Sequence, residues 1–233
     1  VTPTTTAESW PQGFRIVSSR FPPVGVFDDV SDRADLEAVF WVEGLTNPRL
    51  REALGQLELV PPDERLAGPG TTPIIAAFTH LNPNGSRFSD GSFGVYYAGR
   101  TQDTAVAETV FHTERWALES QDPPTAFTMR VYIGEILERP YHDLRGEPGI
   151  YAHLLNPDLD GYGPAQQLGQ ALRAAGSWGI LYPSVRDVGG ECAAVFRPSA
   201  LGPVHQSTHL AYVWDGTAVE DVIELRSLGV PGR

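Results

Sequence analysis

Cysteine is nearly absent. The single Cys192 among 233 residues excludes an intrachain disulfide and any cysteine-rich zinc site. That scarcity fits a reducing compartment, and the cytoplasm is the expected location. No apolar run approaches the ~20 residues that a transmembrane helix needs. The opening stretch, V-T-P-T-T-T-A-E-S-W-P-Q-G-F, has neither a basic start nor an apolar core and does not read as a secretory signal. Residues 1–13 are expected to form a flexible polar lead-in. Basic residues are also scarce, 17 Lys and Arg against 29 Asp and Glu, giving a net charge of −12. Such a chain repels a polyphosphate backbone, so direct binding to nucleic acid is not expected. The acidity reads mainly as a solvated surface that keeps the protein soluble, although it would also complement a basic protein.

Several catalytic signatures are missing as well. No G-x-S-x-G surrounds Ser184, which removes support for a serine hydrolase. No G-x-G-x-x-G follows a strand, so a Rossmann site is not indicated. The histidines have no H-E-x-x-H spacing, and His80, His112, His142 and His153 are too scattered to argue for a metal. N-P-D-L-D-G, residues 156–161, starts like a calcium loop, but Gln167 stands where a bidentate glutamate is needed, and the segment reads as a turn. No motif places the second acid of a carboxylate-pair glycosidase.

What remains is an ordinary globular composition, 41% hydrophobic and 20% charged. A chain of this length buries roughly 70–75% of its unfolded surface, enough for one substantial core. Residues 14–233 read as one domain. F-R-I-V at 14–17 is a short strand, and the proline pair at 22–23 interrupts regular structure. Residues 32–57 pattern as a helical hairpin broken at Gly44 and restarted by Asn47 and Pro48. From Val60 to Ser86 prolines and glycines recur around the apolar run I-I-A-A-F. G-V-Y-Y-A-G is a compact strand. The helix after it is capped by Thr101 or Asp103, buries Val106, Val110 and Phe111, and puts Glu108, His112 and Arg115 on another face. A-F-T-M-R-V-Y-I-G-E-I-L-E-R-P is a long strand stopped by Pro140, and residues 164–176 form a further helix ended by Gly176. W-G-I-L-Y-P, C-A-A-V-F-R-P and V-I-E-L-R-S-L complete the strands.

Residues 87–112 carry the chemistry: an arginine in a turn, a tyrosine pair on a strand, and a carboxylate on a helix. A lone arginine is more often a solvated turn residue, and a lone helical glutamate an exposed one. Together they suit a phosphate-bearing ligand with a cationic aromatic ring, as nicotinamide dinucleotides have. The Arg87 guanidinium can grip a pyrophosphate bidentately. Tyr96 and Tyr97 point to opposite strand faces, so one fills the core while the other is free to line a cleft and stack on nicotinamide. A fixed anion at Glu108 would stabilise the positive charge that develops when a ribosyl bond breaks. Ser184, in L-Y-P-S-V-R, lies just past a buried strand, where binding groups gather; as a plain turn residue it would only satisfy local backbone.

F-R-I-V, residues 87–112, and G-S-W-G-I-L-Y-P-S-V-R-D-V-G-G-E-C-A-A-V-F-R-P together resemble the RES-domain family. The likeness runs from about Phe14 to Pro198, with 18–86 as an insertion. The resemblance implies an α+β fold: an ADP-ribosyltransferase-like core of two small β-sheets framing an NAD cleft, with flanking helices and an N-terminal helical insertion. It implies consumption of NAD+ as substrate, without a metal, by the toxin of a bacterial toxin–antitoxin pair, acting as NAD+ phosphorylase or glycohydrolase. A cognate antitoxin protein is the implied partner. Arg87, Glu108 and Ser184 stand at the family's three naming positions, and Tyr97 at its nicotinamide-facing tyrosine. In that scheme Arg87 holds the phosphates, Glu108 stabilises the ribosyl cation and Ser184 orients ribose or phosphate. Arg100 and Arg186 are second-tier phosphate contacts. Members similar to this chain pass ADP-ribose to water, to phosphate or to a protein, so a protein-modifying ADP-ribosyltransferase is the alternative activity. A catalytically silent NAD- or antitoxin-binding module is the alternative of another class.

Overall fold

A computed structural model describes residues 2–20, 28, 55–146, 149–226 and 228. The helical hairpin expected over 32–57 lies outside the described residues except at its last three positions. In chain order the principal elements are β1 (Thr5–Ser18), α1 (Thr72–Thr79), β2 (Tyr96–Gly99), α2 (Gln102–Ser120), β3 (Thr125–Asp143), α3 (Gly163–Ala174), β4 (Gly179–Pro183), β5 (Glu191–Val195), β6 (Leu201–Trp214) and β7 (Val219–Leu225).

The class is mixed α and β, with the strands in one sheet of order β1-β2-β5-β4-β3-β6-β7 and an additional β1–β3 pairing. Two small sheets were expected. The strands instead join into one because β3, at 19 residues, serves both halves. Along one edge it pairs with β1 from Met129 to His142. Along the other it pairs with β6 as far as Ile136 and then with β4 from His142. The ladder β1-β2-β5-β4-β3 thereby returns to β1, and β6 and β7 extend outward from β3.

Two sequence expectations are corrected by this pairing. Residues 5–13 are not a loose lead-in but the first part of β1, because tertiary contacts override their polar composition. Trp10 is 1% exposed in the core, and Glu8 is held by Arg100 and Arg145. Pro11 is tolerated within the register shift between Trp10 and Gly13. Likewise β3 does not stop at Pro140. Asp143 donates its N–H to Thr4 on the β1 side and Leu144 donates to Leu181 on the β4 side. By alternation the missing N–H of Pro140 faces the gap between the end of β6 and the start of β4, where no ladder partner needs it. A third difference is an omission: β6, fourteen residues including Gly202 and Pro203, carried no clear strand signal.

Packing divides the side chains by strand parity. Tyr96 and Ala98 of β2 enter a cluster with Trp10, Ile136 and Leu181 that α1 covers. Tyr97 turns to the other face, beside a cluster containing Phe88, Tyr182, Cys192 and Leu172 of α3. The helix α2 lies on a third cluster that includes Ile16, Val131 and Tyr212, reached by Ala105, Val106 and Val110. Gly99 lets β2 approach α2 closely, since a Cβ there would come 2.7 Å from the Ala105 nitrogen. That approach brings the face of α2 carrying Glu108 to the same end of the sheet as Tyr97.

Candidate active site

The helix α2 begins as the sequence predicts. Thr101 has extended backbone and its Oγ1 accepts a hydrogen bond from the Thr104 N–H. One turn further on, Glu108 faces the loop after β4. Ser184 of that loop donates its hydroxyl to Glu108 Oε1 at 2.6 Å. The Ser184 oxygen in turn accepts from the backbone N–H groups of Arg186 and Asp187 at 3.1 and 3.0 Å. One carboxylate oxygen is therefore fixed through a hydroxyl whose own orientation is fixed. The Cys192 thiol, 3.9 Å from the same oxygen, closes the other side. Burial, and then the Glu108 charge, push that thiol well above its usual pKa, so it stays protonated.

Arg87 is 5% exposed. Its Nη1 donates to the Asn156 carbonyl at 2.8 Å, its Nη2 to the Tyr162 hydroxyl at 3.1 Å, and its guanidinium lies 4.4 Å from the Tyr162 ring centroid. This double grip is one that an ammonium could not reproduce. Tyr97 stands beside it. Its hydroxyl accepts from the Phe88 N–H at 3.0 Å and bonds Ser86 at 2.9 Å, while burial lifts its phenol to about 12 against the Arg87 charge. Both tyrosines of the pair are thus placed: Tyr96 is core, 1% exposed, and Tyr97 belongs to the Arg87 side.

Arg87, Glu108 and Tyr97 all act electrostatically on Tyr182, which stacks edge-on against Phe88 at 5.1 Å. His112, a turn after Glu108, reaches solvent. Even so, the protein atoms around its ring hold its pKa below the usual histidine value, with Glu108 opposing and Arg186 and Arg87 assisting. Phe111 departs from the expected buried stripe: its ring lies against the Arg186 guanidinium, 3.3 Å to the centroid. Arg186 also donates to the Pro157 carbonyl, and its buried Nε has no hydrogen-bond partner among the described residues. Beyond Phe111 opens a cavity of about 460 Å³ bordered by Arg115, Asn156, Asp158 and Asp160. The structure therefore brings Arg87, Tyr97, Glu108, Ser184 and Arg186 to one region.

Arg100 is not brought there. It follows Tyr96 and Ala98 in parity and so emerges on the opposite face of β2. There it bonds Glu8 at 2.6 Å and Glu191 at 3.0 Å, in a network with Arg145 and Asp143. The phosphate contact expected of Arg100 is corrected accordingly. Conversely, Tyr162, Asn156, Thr104 and Asp187 escaped the sequence reading. Two of them had a usable signal, since Thr104 precedes Glu108 by one helical turn and Asp187 follows Ser184 by three residues.

A family model described as RES domain matches residues 64–215, a span containing Arg87, Tyr97, Glu108 and Ser184. The chain is 30% identical over 206 residues to the uncharacterized protein y4oC of Sinorhizobium fredii (strain NBRC 101917 / NGR234), covering 88% of this chain and 84% of that protein. Among solved structures, the crystal structure of the M. tuberculosis MbcT-MbcA toxin-antitoxin complex is similar with a TM-score of 0.47 and 12% identity, covering 90% of this chain and 87% of that one.

Proposed function

The chain belongs to the RES domain family, and from that premise we propose that it consumes NAD+ by breaking the bond between nicotinamide and ribose, as the toxin of a toxin–antitoxin pair. The observation that carries the reading is Glu108 Oε1 pinned by Ser184, which leaves Oε2 for a ligand in a region that also holds Arg87 and Tyr97. Cleavage sends the electron pair of the C–N bond to the nicotinamide nitrogen, which becomes neutral, and leaves oxocarbenium character on the ribose. An anion that cannot reorient stabilises that charge more than a mobile one, because no reorganisation is needed as the charge appears. Arg87 and Arg186 supply cationic groups for the pyrophosphate, and Tyr97 an aromatic face for the nicotinamide ring. Water or inorganic phosphate completes the reaction as NAD+ glycohydrolase or NAD+ phosphorylase activity, with nicotinamide and ADP-ribose or its 1″-phosphate as products. A cognate antitoxin protein would hold this activity in check.

The test is chromatography and mass spectrometry of products from NAD+, with and without phosphate, for the parent and Glu108→Gln. Nicotinamide release by the parent, lost by at least about a hundredfold in the variant, is the expected result. Equal release by both would sink the role of Glu108. Label from NAD+ appearing on a protein would move the activity to protein modification.

A further inference from the structure

The hydrogen bond between Ser184 and Glu108 is one of two rungs joining α2 to the loop after β4. The second rung lies one helical turn earlier, where Thr104 donates its hydroxyl to Asp187 Oδ2 at 2.6 Å. On the helix the rungs are spaced by four residues, Thr104 to Glu108, and in the loop by three, Ser184 to Asp187. Thr104 is 1% exposed. Its proton goes to Asp187, so its oxygen accepts from Thr101 at 2.9 Å, and the Thr101 oxygen accepts from the Thr104 N–H. This gives a directed chain from the helix cap to the Asp187 carboxylate. The carboxylate also sits at the N-terminal end of α2, where the helix dipole favours a negative charge. The loop closes on itself as well: Gly190 donates to the Asp187 carbonyl and Ser184 donates its N–H to the Gly190 carbonyl at 2.8 Å. A Cβ at Gly190 would collide with Asp187 Oδ2 and come 2.7 Å from Thr104 Oγ1.

We infer that Asp187 and Thr104 are positioning residues for Glu108: their rung sets the loop so that Ser184 meets Glu108 Oε1. The connection is short, because the Asp187 backbone N–H is itself one of the two donors that orient the Ser184 oxygen. Neither side chain needs to touch a ligand. The inference rests on the NAD+-cleavage reading, which makes the Glu108 carboxylate the group whose placement matters.

The experiment compares Asp187→Ala, Thr104→Val and Thr104→Ser with the parent and with Glu108→Gln. It measures kcat and KM for NAD+, thermal melting, and the side-chain carboxyl resonance of Glu108 in glutamate-labelled protein, assigned by its absence in Glu108→Gln. Loss of the rung is expected to lower kcat about tenfold with KM within about twofold and to shift the Glu108 resonance. Thr104→Ser, which keeps the hydroxyl, should restore both. A purely structural role predicts instead that Thr104→Val melts earlier with kcat and the resonance unchanged, and that outcome overturns the inference. If the parent itself releases no nicotinamide, the NAD+ reading fails, while the resonance in Thr104→Val against Thr104→Ser still decides whether the rung sets Glu108.

Discussion

Ser184 and Glu108, separated by 76 residues in sequence, share a 2.6 Å hydrogen bond in which the serine is the donor and the glutamate the acceptor. The serine thus acts on the carboxylate first, whereas the family resemblance suggested that it orients ribose or phosphate. Ser184→Ala should lower NAD+ turnover about tenfold, the worth of one charge-assisted hydrogen bond, and less than Glu108→Gln lowers it. Steady-state kinetics on both variants checks the ranking.

The two tyrosines of β2 should separate stability from activity. Tyr96→Ala empties a fully enclosed core site and should cost about 3–5 kcal/mol, by analogy with Phe→Ala in cores. Tyr97→Phe keeps the ring but leaves the Phe88 N–H and Ser86 without their shared partner. Its stability should fall by about 1 kcal/mol, with turnover reduced in a protein that still melts cooperatively. Denaturant unfolding alongside nicotinamide release distinguishes the pair. A larger catalytic loss from Tyr96→Phe than from Tyr97→Phe would reverse the assignment.

Arg100→Gln should leave NAD+ turnover unchanged and weaken the acid resistance of β1 instead. The Glu8 carboxyl is held down to about 2 from 4.5, chiefly by its hydrogen bond from Arg145 and further by Trp10 and Arg100, against its partial burial. Because the folded value lies below the unfolded one, this stabilisation is complete above about pH 4.5 and is lost as the pH falls toward 2. Melting temperature should therefore drop across that window more steeply in the parent than in Glu8→Gln. Parallel slopes would show that the network contributes nothing to acid stability.

Cys192 should resist thiol reagents at pH 8 in the native protein and react fully once unfolded, since burial and the Glu108 charge keep it a thiol. Rapid modification of the native chain would mean that the space behind Glu108 is open to solvent.

Local signals were legible where one segment supplies its own reason for folding. The helix start, narrowed to Thr101 or Asp103 and settled at Thr101, the strand at Tyr96–Gly99 and the end of α3 near Gly176, with its φ of 78°, were all legible in sequence. The strand nature of Thr5–Gly13 and of β6 did not, because both depend on pairing with β3, more than a hundred and more than sixty residues away respectively. The position of Arg100 was also hidden. Arg100 was expected as a second-tier phosphate contact, but three residues along a strand from Tyr97 reverse the face, and Glu8 and Glu191 hold it there. Tyr162 and Asn156 were invisible for a different reason, since only the assembled turn 156–162 carries them to Arg87.

If the region binds a nucleotide as proposed, that turn bears on which ligands it takes. The turn occupies both arginines with main-chain oxygens, Arg87 through Asn156 and Arg186 through Pro157. A phosphate-bearing ligand would meet cations already solvated by the protein, so its binding would be an exchange of acceptors rather than a first capture. On the NAD+-cleavage reading proposed above, phosphate oxygens would compete with those neutral carbonyls more strongly than the hydroxyls of an uncharged nucleoside, so the turn would act as a charge threshold favouring nucleotides over their dephosphorylated relatives.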